Sequence, residues 1–175
     1  MDMTTPTLST RRLLLRPFRK EDAADAYRLL FHPPRVAKYM FWARHTEPRQ
    51  SEEWVADELS SVSDADWYSF AVVRRDADQL IGMVSLSFDG EVGDWELAYC
   101  FGQGVWNRGY ATEAVGRVLS FGKDELRLER MVARFALENK ASGRVLEKLG
   151  FRYERDVDYV CGNGSAVLPG ALYSV

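Results

Sequence analysis

The chain has little of what a disulfide-stabilised or metal-binding protein requires. Two cysteines, Cys100 and Cys161, and two histidines, His32 and His45, occur among its 175 residues. Two thiols in a chain of this length are typical of a reducing compartment, so we expect a cytoplasmic protein without a disulfide framework. Two histidines do not make a zinc site and no ligand spacing suggests one, so we expect no metal.

Long apolar runs and an excess of one charge are also missing. No segment approaches the roughly 18 apolar residues of a membrane span, and the N-terminus lacks the basic-then-apolar pattern of a signal peptide. The 23 basic residues are offset by 26 acidic ones, giving a net charge of −3. No run of lysine or arginine appears. We therefore expect neither a membrane nor a nucleic acid as a partner.

What is present is the composition of an ordinary globular protein, 46% apolar and 28% charged, whose length predicts one domain over residues 1–175. The strand–helix–strand–helix order of the second half predicts one parallel pair of strands inside a mostly antiparallel sheet. Periodicity and turn residues predict strands at 12–16, 68–74, 80–88, 95–101, 130–137, 151–160 and 166–175, and helices at 20–31, 51–60, 111–126 and 141–149.

The segment WNRGYA, residues 106–111, forms a glycine-bearing turn at the start of a predicted helix. Helix N-termini carry unpaired N–H groups and partial positive charge, so an anion is the natural ligand there. Gly109 lacks a Cβ that would block its approach, and Arg108 adds a cation. The segment lacks a P-loop pattern, and Gly102-Gln103-Gly104 begins a dinucleotide fingerprint that fails at Asn107. The last three positions of an acyl-CoA loop, [QR]xxGx[GA], do fit.

Several segments in order then carry a resemblance to a known family. WNRGYATEAV and ENKASGRVLEKLGF, preceded by LSTRRLLLRPFRKEDAADAYRLL, IGMVSL and WELAYCF, are similar to the GNAT acetyltransferases over about residues 8–160. The chain most resembles their RimJ/RimL-like branch, which acetylates ribosomal-protein N-termini. That branch usually has glycine where Asn107 stands. Asparagine tolerates left-handed backbone better than most residues, so the turn is expected to survive.

The resemblance implies a fold, a cosubstrate and an acceptor. The fold is the α/β (α+β) acyl-CoA N-acyltransferase fold, a mixed, mostly antiparallel sheet with a central splayed parallel strand pair and helices on both faces. The cosubstrate is acetyl-CoA, without a metal. The acceptor is a primary amine, in this branch a protein or peptide N-terminal α-amine, and transfer is direct. Dimers are common in the family.

The resemblance also implies which residues bind the cosubstrate. Backbone N–H groups of the turn would hold the coenzyme A pyrophosphate. The strand residues Tyr99, Cys100 and Phe101 would also bind the cosubstrate, and a free N–H at Tyr99 or Cys100 would polarise the thioester carbonyl. Asn139 matches an asparagine that contacts the pantetheine arm. Ser142 matches a serine whose hydroxyl would hydrogen-bond the departing sulfur, although a first-turn serine is common on its own. The turn residues concerned are Arg108, Gly109, Tyr110, Ala111 and Thr112.

Glu96 is the candidate general base. Strand alternation places Glu96 and Cys100 on one face of the strand and Tyr99 and Phe101 on the other, and related enzymes often place a base at this position. An ion-paired or solvated glutamate is the competing interpretation. Cys100 as a nucleophile is unsupported because no histidine is positioned beside it. Residues expected near the acceptor are His45 and an aromatic wall of Tyr39, Phe41, Trp42 and Trp67.

Three other functions stay open at this point. Within the enzyme class the acceptor could be a small-molecule amine, such as an antibiotic, a polyamine or an amino acid. If Glu96 and Ser142 are not aligned, the fold could bind acyl-CoA without turnover. A nucleotide-binding α/β protein would instead be protected by ATP or NAD.

Overall fold

The computed structural model describes residues 4–175, which form one eight-stranded sheet with helices packed against it. Seven predicted strands are present, and a short one, β1, precedes them. The bounds are β1 Leu8–Ser9, β2 Leu13–Arg16, β3 Trp67–Arg74, β4 Gln79–Asp89, β5 Asp94–Phe101, β6 Met131–Ala136, β7 Arg152–Cys161 and β8 Ala166–Ser174.

The helices differ from prediction mainly at their ends. The predicted helix 20–31 is α-helical over Asp22–Ala26 and continues as a π-helix over Tyr27–Phe31. The helix predicted to start at Ser51 begins three residues earlier, because Glu47 and Gln50 form a capping box around Pro48 at the first position. The bounds are α1 Asp22–Ala26, α2 Pro34–Ala37, α3 Pro48–Ser60, α4 Tyr110–Asp124 and α5 Lys140–Lys148, with a 3₁₀ turn at Gln103–Val105.

The sheet contains the predicted parallel pair at its centre. Its strand order is β1-β2-β3-β4-β5-β6-β8-β7, and across residues 4–175 only β5 and β6 pair in parallel. Their ladder has two rungs, Trp95 with Met131 and Glu96 with Val132, after which the strands diverge although β5 runs on to Phe101. The predicted fold class is confirmed, including the splay between these two strands.

Helices cover both faces of the sheet, as predicted. On one face Val118 and Phe121 of α4 and Leu146 of α5 pack into a core that contains Leu97 of β5. On the other face Ala26 and Val55, from α1 and α3, share a core with Cys100. Because β5 contributes to both cores, its alternating side chains are fixed, and the gap beside its C-terminal half has rigid walls.

Candidate active site

A cleft of about 680 Å³ lies where β5 and β6 separate. This volume is in the usual range for a small-molecule or cofactor site. Its walls include nearly all the residues predicted to bind the cosubstrate; Arg108 alone is not among them. The predicted residues that line it are Tyr99, Cys100, Phe101, Gly109, Tyr110, Ala111, Thr112, Asn139 and Ser142.

The turn at 106–109 has the backbone that an anion site needs. Asn107 and Gly109 both adopt left-handed conformations, with φ of 59° and 76°. Helix α4 begins at Tyr110, one residue before the predicted start, and no side chain caps its N-terminus. Trp106 secures the preceding segment, because its indole N–H donates to the Phe101 carbonyl at 2.8 Å. The first-turn amides of α4 are therefore left without a side-chain acceptor at the end of the cleft.

The register of β4 and β5 shows which amides of β5 face the cleft. The pairing is uninterrupted from Gly82 with Phe101 onward, and the amide of Gly102 donates to the Ile81 carbonyl at 2.9 Å. In an antiparallel ladder hydrogen-bonded positions alternate, so the amide of Cys100 also points at β4. The amides of Tyr99 and Phe101 point the other way, into the gap beside β6. Of the two predicted polarising groups, Tyr99 is therefore the one that faces the cleft.

Tyr99 and Ser142 are in direct contact, which sequence reasoning missed. The Tyr99 hydroxyl lies 2.8 Å from Ser142 Oγ and 3.1 Å from the Ser142 carbonyl, to which it donates. Asn139 caps α5, and its side-chain oxygen accepts from the Ser142 amide at 3.4 Å. Burial raises the pKa of Tyr99 far above its ordinary value, so its hydroxyl stays protonated. The sequence held one indication of this contact: the alternation of β5 places Tyr99 on the face of the sheet that α4 and α5 cover.

Glu96 lies in an ion-pair network on the opposite face of β5. Its two oxygens accept from the Arg134 guanidinium, at 2.8 Å from Nε and 2.6 Å from Nη2. Arg134 also donates to Asp89. Hydrogen bonding and attraction to these carboxylates raise the pKa of Arg134, so the guanidinium keeps its proton. The structure thus shows the ion-paired alternative for Glu96, and its action as a base stays a prediction.

A smaller pocket of about 70 Å³ adjoins the cleft and shares Tyr99, Asn139 and Ser142 with it. Phe41 and Trp42 of the predicted aromatic wall line this pocket together with Ala98 and Arg134 of the diverging strands. The pocket therefore borders the Tyr99–Ser142 contact. The residues that line it are Met40, Phe41, Trp42, Met83, Ser85, Leu97, Ala98, Tyr99, Arg134, Phe135, Asn139, Ser142 and Tyr159.

The three remaining residues predicted to lie near the acceptor are found in three different positions. Tyr39 lines the larger cleft. Trp67 opens β3 and donates to Glu58 at 3.3 Å, away from both cavities. His45 is buried against Ser51 at 2.8 Å and lines neither cavity, and burial lowers its pKa. Its expected place near the acceptor stays a prediction.

Cys100 is a buried thiol and not a nucleophile of this site. It is 4% exposed and packs in the core beneath α1 and α3. Burial raises the pKa of the thiol far above its usual range, and the thiolate is the reactive form. Within residues 4–175 no cluster of three or more His, Cys, Asp or Glu residues could hold a metal ion, and no helix is long and apolar enough to cross a bilayer.

Comparisons with known proteins agree with this geometry. The family model for the acetyltransferase (GNAT) domain matches residues 12–152. The uncharacterized N-acetyltransferase p20 of Bacillus licheniformis is 32% identical over 151 residues, covering 85% of this chain and 83% of that protein.

Two solved structures share the fold at low identity. The ribosomal-protein-S5-alanine acetyltransferase from Vibrio fischeri has a TM-score of 0.80 at 20% identity, covering 97% of this chain and 96% of that one. A ribosomal L7/L12 α-N-protein acetyltransferase, RimL, in complex with coenzyme A has a TM-score of 0.84 at 12% identity, covering 97% of both chains.

Proposed function

This chain belongs to the GNAT acetyltransferase family, and from that premise we propose that it acetylates the N-terminal α-amine of a protein or peptide with acetyl-CoA. The enzyme is an acyltransferase; the α-amine as acceptor and the residue roles below are the proposal. We further propose that it requires no metal.

The observation that carries the proposal is the chemistry of the cavity walls. Neither the cleft nor the small pocket is lined by an aspartate, a glutamate or a histidine among the described residues. An acceptor must therefore arrive largely deprotonated. At pH 7.5 about a quarter of α-amines are neutral, against roughly one in a thousand lysine side chains, given ordinary pKa values near 8 and 10.4. A site without a free base suits an α-amine.

The basic residues of the cleft support the same choice. Arg35, Lys38, Arg144 and Lys148 line it, and the phosphates of coenzyme A would neutralise positive charge of this kind. A polyamine, the polycationic member of the runner-up class of small-molecule amines, would find no carboxylate partner in the walls of either cavity among the described residues. Polyamines are therefore disfavoured, and other small-molecule amines stay the runner-up class.

Transfer would proceed in one displacement. The neutral amine attacks the thioester carbonyl carbon while the Tyr99 amide donates to the carbonyl oxygen, where negative charge develops. The carbon–sulfur bond then breaks, and the Tyr99–Ser142 hydroxyl pair supplies a proton to the departing thiolate. The proton released by the amine goes to solvent, directly or by way of Glu96 through an intervening water. The pair is then reprotonated from solvent, so the products are an amide and free coenzyme A.

The small pocket supports a peptide that begins with a small residue. A volume of about 70 Å³ leaves room for a side chain the size of alanine or serine beside the reacting amine. The two similar solved structures are those of a ribosomal-protein-S5-alanine acetyltransferase and a ribosomal L7/L12 α-N-protein acetyltransferase, which supports an N-terminal acceptor.

A matched peptide panel tests the proposal. One peptide carries a free N-terminal serine or alanine, a second is the same peptide with a blocked N-terminus and one free lysine, and a third begins with tryptophan. We expect acetylation of the first, detected as thiol release and as a mass increase on the N-terminal residue, at least tenfold faster than of the others. Turnover confined to spermidine or an aminoglycoside would contradict the proposal. Tight coenzyme A binding with no turnover of any amine would indicate a non-catalytic acyl-CoA-binding protein.

A further inference from the structure

A cluster of charged side chains lies behind the turn, outside the cleft. We propose that Arg12 of the β1–β2 connection is a positioning residue for acetyl-CoA, holding the turn at 106–109 in its anion-binding shape. We call the side chains of Thr10, Arg12, Tyr110 and Glu113, together with the Arg108 carbonyl, the Arg12 clamp. The inference rests on the proposed use of acetyl-CoA and concerns how this chain stabilises its own binding turn.

One guanidinium makes three contacts with the turn and the start of α4. Nη1 of Arg12 donates to the Arg108 carbonyl at 3.0 Å, and Nε donates to Glu113 at 2.6 Å. The guanidinium carbon lies 4.2 Å above the centre of the Tyr110 ring. Arg12 therefore connects the peptide just before Gly109 to the first turn of the helix just after it. A planar guanidinium suits this role because its donors diverge in fixed directions.

The clamp also directs a carboxylate away from the anion site. Glu113 lies in the first turn of α4, where an unpaired carboxylate would compete for the same positive potential as a phosphate. Its Oε1 instead accepts from the Thr10 hydroxyl at 2.5 Å and from the Arg12 amide at 3.0 Å. Burial favours the protonated acid, but these hydrogen bonds outweigh it and hold the pKa of Glu113 below its ordinary value. Glu113 thus stays ionised and paired with Arg12.

The turn at 106–109 has few other contacts that would hold its conformation. Trp106, Asn107, Arg108 and Gly109 are all exposed, so little core packing restrains them. Asn107 adopts a left-handed backbone that a side-chain-bearing residue adopts at a cost. A turn that samples other shapes in the free enzyme must be ordered on binding, which lowers affinity. Tethering the Arg108 carbonyl from behind reduces that ordering cost.

The test compares ligands that do and do not carry the pyrophosphate. Arg12→Gln, Arg12→Lys and the control Arg75→Gln are purified as full chains; Arg75 donates to the Thr10 carbonyl at 3.0 Å but makes none of the clamp's contacts with the turn. The dissociation constant of coenzyme A is measured by calorimetry. The KM and kcat for acetyl-CoA are compared with the catalytic efficiency on acetyl-pantetheine, which lacks the pyrophosphate.

We expect Arg12→Gln to weaken coenzyme A binding tenfold or more and to raise the KM for acetyl-CoA equally. The kcat should stay within about twofold, and the efficiency on acetyl-pantetheine should not change. Arg12→Lys should recover little of the affinity, because one ammonium cannot hold the Arg108 carbonyl and Glu113 in the same directions. Arg75→Gln should match the wild type.

Unchanged coenzyme A affinity in Arg12→Gln would overturn the clamp, as would an equal loss with acetyl-pantetheine. If Arg12→Gln does not fold, Glu113→Gln provides the same test, with a smaller expected loss, and wild-type affinity there would be contrary evidence. If the wild-type protein itself binds no coenzyme A, the proposed function fails together with the clamp. If the wild type binds coenzyme A and the variants bind it equally well, the proposed role of Arg12 is contradicted but the proposed function is not.

Discussion

At the turn end of the cleft, the groups that would meet the ligand come from one continuous segment, 106–112, and are mostly backbone amides. At the proposed acceptor end, the small pocket draws side chains from six segments, the 40–42 loop, β4, β5, β6, β7 and the start of α5. A backbone site depends on local φ and ψ values, so a short sequence can specify it. A side-chain site assembled from six segments depends on how the sheet, helices and loops pack, so no short sequence specifies it. Substitutions at one end should therefore change coenzyme A affinity, and substitutions at the other should change the rate of acetyl transfer.

Gly109→Val should have the largest effect and should act at the turn end alone. Valine at φ of 76° is strained, because residues with a Cβ rarely adopt this backbone; the Cβ itself would lie in ordinary van der Waals contact, 3.5 Å from Arg12 Nη2. We expect a loss of coenzyme A affinity of at least a hundredfold by calorimetry. Gly90→Val is the matched control, because a Cβ at Gly90 meets nothing within 4 Å. If Gly109→Val binds coenzyme A as tightly as the wild type, the turn does not bind the pyrophosphate.

Tyr99→Phe should slow acetyl transfer, because Tyr99 lines both the cleft and the small pocket. The substitution removes the hydroxyl that contacts Ser142 while keeping the ring in place. We expect kcat to fall by about 10²-fold, the lower range for losing a general acid, with coenzyme A affinity unchanged. Single-turnover kinetics with a peptide acceptor measure the chemical step. Tyr27→Phe, which removes a hydroxyl that donates to the Thr46 carbonyl at 3.0 Å and belongs to a residue that lines neither cavity, is the control, and an equal loss there would contradict the assignment.

Glu96→Gln should change the acceptor end and leave coenzyme A affinity unaltered. If Arg134 keeps Glu96 from acting as a base, the rise of kcat/KM with pH follows deprotonation of the peptide amine, near pH 7.7–8.0. We expect both the wild type and Glu96→Gln to show this rise, with the variant slower by less than tenfold. A flattened profile in Glu96→Gln would show instead that Glu96 accepts the proton.

The smallest effect concerns stability at low pH. The folded-state pKa of Glu113 lies below its unfolded value, so its contribution is present above about pH 4 and is lost as pH falls through the lowered value. The side chains of Arg12 and Glu113 are 33% and 19% exposed, so we expect this ion pair to contribute about 1 kcal/mol or less to the free energy of unfolding. Melting temperatures between pH 3 and pH 7 should fall less steeply for Glu113→Gln than for the wild type. Equal slopes would contradict this assignment.

Several features of the site could be predicted because they depend on neighbouring residues. The turn was predicted from residues 106–111 alone, and Asn107 adopts the left-handed backbone expected of it. That an anion binds there stays a prediction. The alternation of β5 correctly separated Cys100 from Phe101. The family resemblance supplied the splayed strands and the place of Ser142 beside the cleft. Each inference used a local period, a turn preference or a matched motif.

The tertiary structure decided which side chains meet across long separations in the chain. Glu96 pairs with Arg134, 38 positions away, and Tyr99 reaches Ser142, 43 positions away. Arg12 lies about a hundred positions from the turn that it holds. Periodicity assigns a residue to a face of its own element but says nothing about its partner on another one. The left-handed turn before α4 was therefore determined by the sequence itself, whereas the ion pairing of Glu96, the Tyr99–Ser142 contact and the contacts of Arg12 with the turn required the packed sheet.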